Sequence, residues 1–96
     1  MVRVDKLQVH GNAWGPFLGG SCHLTADSLE ELHAFADRLG LQRVWFQDHR
    51  TLPHYDLTKR RRVKAVALGA VEVTTREQIA AWREAVRLRE EGKAGI

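Results

Sequence analysis

Between Asp27 and Gly40 the chain reads DSLEELHAFADRLG, with Leu29, Leu32, Ala36 and Leu39 recurring on one helical face. Such a helix has to bury that face against something, and the flanking sequence indicates what. Met1 to Val9 changes period: Val2 and Val4, then Leu7 and Val9, alternate as a half-buried strand does, with a slip near Asp5 and Lys6 that reads as a bulge or turn. RVWFQ (43–47) and AVEVT (70–74) are short, β-branched or aromatic, and read as a second and a third strand. A second helix is expected after Asp56, through Val63, Val66 and Ala67 to Gly69. A third follows, with Ile79, Trp82, Ala85 and Val86 on one side and arginines and glutamates on the other. Asp27 with Glu30, and Thr75 with Gln78, are spaced as N-terminal capping boxes. The alternation predicts an α/β fold: a small three-stranded, mostly parallel sheet with about three helices, in the order β-α-β-α-β-α.

A chain of 96 residues supports one domain, 1–96, and there is no repeat or linker to divide it. HGNAWGPFLGGSCH (10–23) reads as a glycine-rich loop, too long to be a mere connector, and 92–96 as a flexible tail. At 44% hydrophobic and 28% charged residues, with no apolar run near the ~20 needed to cross a bilayer, no membrane partner is expected. The first ten residues lack the apolar stretch of a signal peptide, so the expected location is cytoplasmic. A single cysteine, Cys22, excludes an internal disulfide and a four-cysteine zinc module. A net charge of +3 favours anionic partners only mildly.

The stretch PHYDLTKRRR (53–62) concentrates the chemistry. Asp56 is placed to cap the second helix, and the amides and positive dipole end of a helix start are also a seat for phosphate or carboxylate. Lys59, Arg60, Arg61, Arg62 and Lys64 fill five of the six positions 59–64. Successive helical residues step ~100° around the axis, so they cannot all serve one ligand. In a parallel sheet, ligands sit beyond the carboxyl ends of the strands, and His10, His23, His49 and His54 all fall in segments leading from strand to helix. His54 is suited to proton transfer near neutral pH, with Asp56 or Asp5 to orient it. Gln47 is expected to point into the same region and Tyr55 to hydrogen-bond a phosphate, stack on a base or close the core. Trp14 and Phe17 are candidates for a lid or a stacking platform. His33, beside the apolar stripe, reads as a structural histidine, and Trp45, Phe46, Phe35 and Trp82 mostly as core.

Several familiar chemistries are absent. HLT (23–25) matches half of the paired HxT signature of two-histidine phosphodiesterases, but no second copy exists. There is no GxGxxG, GxxxxGK[ST], HExxH or GxSxG. Cys22 reads as a small buried residue rather than a nucleophile. His23, His54 and Asp5 are compatible with a metal under this fold, yet no ligand spacing supports one, so no metal or other cofactor is assigned.

The blocks CHLTAD, ELHAFADRLGL, WFQ, PHYDLT, the pair Arg61 and Arg62, and AVALGAVEVT together resemble the Domain of Unknown Function 4031 family, small proteins of bacteria and phages. The resemblance implies a strand ending in aspartates, a histidine before the first helix and an HYD-type triplet before the second. It marks Asp5, His23, Asp27, His33, Gln47, His54, Tyr55, Asp56 and Arg62. Lys6 stands where a second aspartate is expected, which weakens any scheme needing adjacent carboxylates on a metal. If phage-encoded, the protein would act in the host cytoplasm.

The resulting expectation is a site at the carboxyl edge of the sheet for a phosphate-bearing ligand, a nucleotide or nucleic-acid end. His54, His23 and Asp56 are the catalytic candidates, with Asp5, Gln47, Tyr55, Arg61, Arg62 and Trp14 binding the ligand. Hydrolysis by histidine acid/base chemistry is the enzymatic version. A non-enzymatic module that sequesters a nucleotide, or binds nucleic acid through the basic run, is the alternative.

Overall fold

A computed structural model describes residues 1–9, 15 and 19–94, the last two of these in backbone only. Strand β1 (Val2–Val4) is followed by β2 (Ser21–Ala26), helix α1 (Leu29–Arg38), a 3-10 turn at Arg43–Trp45, β3 (Tyr55–Thr58), α2 (Lys59–Ala67), β4 (Val71–Glu72) and α3 (Thr75–Ala94). Among the described residues the fold is mixed α/β with three helices in a single compact domain, but the sheet is not the expected one. It has four strands in the order β3-β2-β1-β4. β1 runs antiparallel to β2 and parallel to β4, and β2 runs antiparallel to β3.

The differences have local causes. Ser21–His23 were expected to end a loop and 24–26 were given no strand, yet in SCHLTA the alternation of Cys22, Leu24 and Ala26 with His23 and Thr25 is that of a central strand with one apolar and one polar face. RVW becomes a 3-10 turn and no strand; Val44 and Trp45 are exposed, so Trp45 is not core. Of the expected strand, Gln47 does pair, exchanging backbone bonds with His54 at 2.9 and 3.1 Å as an isolated bridge. YDLT, read as a cap and helix start, is strand β3, and α2 begins only after it. Ser21–His23 therefore belong to β2 and not to the 10–23 loop, most of which, with His10, Trp14 and Phe17, lies outside the described residues. At the other end α3 extends through Ala94, past the start of the expected tail.

Every helix start is displaced from its expected cap. Ser28 Oγ, not Asp27, accepts from the Glu31 amide. Thr58 Oγ1, not Asp56, accepts from the Arg61 amide. Thr74 and Glu77 form a reciprocal capping box at 3.0 and 3.1 Å, leaving Thr75 and Gln78 for other partners. The ends of α1 and α2 are as expected, before Gly40 and Gly69. Gly40, at φ 74°, lies in the left-handed region that a Cβ disfavours, and Leu41 N–H bonds back to Ala36 O to close a Schellman motif.

Alternation gives the sheet two unlike faces. Val2, Val4, Cys22, Leu24, Ala26, Tyr55 and Leu57 point one way and pack with Leu32, Phe35 and Ala36 of α1 and Ala65 of α2. This is the apolar core. Arg3, Asp5, His23, Thr25 and Asp56 occupy the alternate positions on the other face, where α3 approaches. Among the described residues no helix is long and apolar enough to cross a membrane.

Removing the α3 cap by Thr74→Ala is expected to lower the free energy of urea unfolding by about 1 kcal/mol. A variant as stable as the parent would show that the helix does not start at this cap.

Candidate functional site

The polar face owes its geometry to Asp5. One carboxylate oxygen accepts from the His23 amide at 2.6 Å, and the other from His23 Nδ1 and Thr75 Oγ1, each at 2.6 Å. At 1% exposure the group has lost its water and needs these donors. Burial alone would raise its pKa, but the ring, hydroxyl and amide of its neighbours outweigh burial and hold it below the ordinary carboxylate value. A carboxylate only accepts, so His23 Nδ1 carries the proton and the ring presents Nε2 outward. Gln78, buried on the sheet-facing side of α3, donates to His23 O at 2.9 Å and fixes the strand behind the ring.

His23 faces Asp56 across the β2–β3 ladder, and His54 enters from just before β3. The two rings meet edge to face, with centroids 4.7 Å apart. His54 Nδ1 lies 2.7 Å from Leu52 O, an atom that can only accept, so this ring too carries its proton on Nδ1. Its Nε2 lies 3.4 Å from Asp56 Oδ1, while Gln47 Nε2 donates to Asp56 Oδ2. Burial pushes the His54 pKa down, but the Asp56 carboxylate, the Leu52 carbonyl and the more distant Asp5 together raise it above the ordinary value. The His54 contact, with help from Gln47, holds Asp56 below its ordinary value against the effect of burial. His49 extends the cluster, its ring 6.4 Å from that of His54.

The structure thus brings together His23, His54, Asp56, Gln47 and Asp5. Asp5 lies behind His23 rather than at the surface, so it positions the ring and does not meet a ligand directly. Tyr55 points to the opposite face: it is buried beneath α1, with its hydroxyl 2.8 Å from His33 Nδ1 and its ring beside Phe46. That placement removes Tyr55 from the ligand side, because neighbouring strand residues face opposite ways. His33 is the structural histidine expected. Arg62 is also committed, donating from Nε to Asp5 O at 2.8 Å and from Nη1 to Glu72 at 3.0 Å. Arg61 stacks on Trp45, with its guanidinium 5.4 Å from the ring centroid. Asp27 pairs with Arg3. Cys22 faces the core, and burial pushes its thiol up to about 12, so it is no nucleophile.

Sequence reasoning missed Thr75 and Gln78, the two α3 residues that reach the sheet. Both were assigned to a cap, and their one-residue displacement from Thr74 and Glu77 is the signal that they were available for something else.

A groove of about 1030 Å³ lies away from the histidines, along α2 beside Lys59, Arg60, Arg61 and Lys64. A smaller one, about 430 Å³, lies between Arg50 and Thr51 of the loop before His54 and Trp82 and Arg83 of α3.

Fold and site define a small α/β protein with two carboxylate-flanked imidazoles on the polar face of a mixed sheet. The chain belongs to the family described as a protein of unknown function (DUF4031), whose sequence model matches residues 2–85. No curated protein and no solved structure matches the chain.

The charge arrangement has a definite pH signature. Because the folded pKa of His54 is raised, its contribution is complete below its ordinary value of 6.5 and is lost as pH rises through the folded value. Asp5 and Asp56 are lowered, so their contributions are complete above the ordinary 3.8 and are lost as pH falls through the folded values. Urea unfolding with a chelator present is therefore expected to show greatest stability between these limits. His54→Gln should remove the decline on the neutral side and also weaken the Asp56 part of the acid-side decline, which rests on the same contact; an unchanged neutral-side decline would assign it to another group.

Proposed function

We propose that the protein binds a phosphate-bearing ligand, a nucleotide or nucleic-acid end, at the cleft where His23 and His54 meet, and hydrolyses it. The observation that carries this reading is the pair of rings 4.7 Å apart, each with Nδ1 bonded to an oxygen acceptor, so that both present Nε2 to a shared space. Two imidazoles so held suit a displacement at phosphorus that needs a base on one side and an acid on the other. In the scheme, His23 Nε2 takes a proton from water as the water oxygen bonds to phosphorus. Asp5 stabilises the imidazolium that forms, as the orienting carboxylate does in catalytic triads. The bond from phosphorus to the leaving oxygen breaks, and His54, paired with Asp56, gives that oxygen a proton.

Cations for the phosphate are at hand on two sides. Lys59 and Arg60 open α2, which starts about 10 Å along the chain from Asp56 at ~3.3 Å per residue. Arg50 and Arg83 line the smaller groove beside the loop that ends at His54.

One observation favours a second reading, binding of nucleic acid without turnover: the basic groove along α2, with Arg61 stacked on the half-exposed Trp45. Binding of that kind would weaken steeply with salt, whereas a pocketed mononucleotide would depend on salt far less.

The test is release of nitrophenolate from bis-p-nitrophenyl phosphate and p-nitrophenyl phosphate, with a panel of nucleotides followed by phosphate release. Turnover is expected, and His23→Ala should slow it by about 10²–10⁴-fold on every substrate. His54→Ala should do so on nucleotides, whose alkoxide leaving oxygen needs a proton, and far less on the nitrophenyl esters, while both variants spare much of the binding. No turnover and no saturable nucleotide binding would refute the reading; an unchanged rate of phosphate release from nucleotides in His54→Ala would exclude His54 as the acid.

A further inference from the structure

His23, His54 and Asp56 each offer a ligand atom, and these atoms lie within 4.8 Å of one another. Their surroundings resemble those of metal-binding imidazoles. Ligating histidines characteristically donate their other ring N–H to a carboxylate or a backbone carbonyl, which sets the tautomer and aims the lone pair. His23 does so to Asp5 and His54 to Leu52 O, so the two Nε2 atoms are the ones available. Gln47 likewise holds the second oxygen of Asp56 and leaves Oδ1 toward His54.

Electrostatics points the same way. With His54 neutral, its Nε2 lone pair would face the Asp56 oxygen at 3.4 Å, two acceptors with nothing between them. Only a positive charge reconciles them, either a proton on the ring or a cation shared by both. Asp5 and Asp56 also place two negative groups beside a cleft assigned above to a phosphate, which a bound cation would offset.

We propose that His23 Nε2, His54 Nε2 and the Asp56 carboxylate form a binding site for one divalent transition-metal ion of the zinc class. Two nitrogens and one carboxylate oxygen suit such a cation rather than Ca²⁺ or Mg²⁺, which take oxygen ligands. Three protein ligands leave a position for water or substrate, as catalytic sites do. Tetrahedral ligands at ~2.1 Å from a cation lie about 3.4 Å apart, so the widest separation in the cluster has to close by up to about 1.4 Å. Asp56, with a side chain 38% exposed, is the member able to move. Asp5 is not a ligand, because both of its oxygens are already bonded, nor is Cys22, which faces the core.

The proposal deepens the reading of this cleft as the reactive centre. With a cation bound, the Nε2 lone pairs of His23 and His54 would both go to the metal, so neither ring would act as base or acid; the metal would instead lower the pKa of the attacking water and stabilise the leaving oxygen.

The test uses the full chain, stripped with a chelator and titrated with Zn²⁺ calorimetrically and with Co²⁺ by visible absorption. One equivalent is expected to bind, with cobalt d–d bands appearing and the melting temperature rising. His54→Ala and Asp56→Ala should each abolish the cobalt bands. Gln47→Ala, an exposed change that leaves all three ligands in place, should weaken Zn²⁺ binding by about tenfold or more. Far-UV circular dichroism in chelator checks that the variants fold, and His33→Asn, remote from the cluster, should bind as the parent does. No saturable binding, or equal binding by the parent and the two ligand variants, overturns the proposal. Stripped protein that binds no cation yet hydrolyses phosphodiesters would refute the metal site and leave the hydrolytic reading. One cation bound with no phosphoester turned over would support the site and refute that reading.

Discussion

A single buried carboxylate organises this molecule. Asp5, where the chain leaves β1, receives the amide and ring of His23 from β2 and the hydroxyl of Thr75 from α3, while its backbone carbonyl receives the Arg62 guanidinium from α2. Four elements meet at one residue. A carboxylate stripped of water is costly, and the cost is offset only when every lone pair is directed at a donor. Here that condition also fixes which way the His23 ring faces, so the interaction that ties the fold is the one that aims the functional group.

The two faces of the sheet divide the labour. Leu24, Tyr55 and Leu57 bury apolar surface against α1 and α2, and the residues between them, His23 and Asp56, are thereby turned to the other side. Strand alternation leaves no choice: once Tyr55 enters the core, Asp56 must leave it. Antiparallel pairing then sets Asp56 opposite His23, and the Gln47–His54 bridge continues the ladder by bringing His54 alongside. The cluster is thus assembled by strand register, and no loop has to close to form it.

Much of this was legible in the sequence, though often for a different reason. The amphipathic stripe of α1, the glycine stops and the family blocks were all readable. So was the meeting of His23, His54, Asp56 and Gln47, but it was expected at the carboxyl edge of a parallel sheet and arises on the face of an antiparallel pair. The strands were harder, because SCHLTA and YDLT are short and polar at alternate positions, and each also reads as a loop or helix start. Caps are ambiguous for a related reason. Asp27 and Ser28, or Thr74 and Thr75, are adjacent residues of equal capping ability, and tertiary contacts decide between them: Thr75 is claimed by Asp5, so Thr74 caps. That Tyr55 faces inward while Asp56 faces outward follows only once YDLT is known to be a strand.

Asp5 and the Leu52 carbonyl impose the same tautomer on two adjacent imidazoles. Long-range proton–nitrogen correlation spectra of the ¹⁵N-labelled protein, recorded in chelator at a pH where both rings are neutral, read this directly. The account predicts that His23 and His54 both carry their proton on Nδ1, against the preference of free imidazole side chains for Nε2, with contacts between the two rings. Protons on Nε2 in either ring, or no contact between the rings, would contradict it.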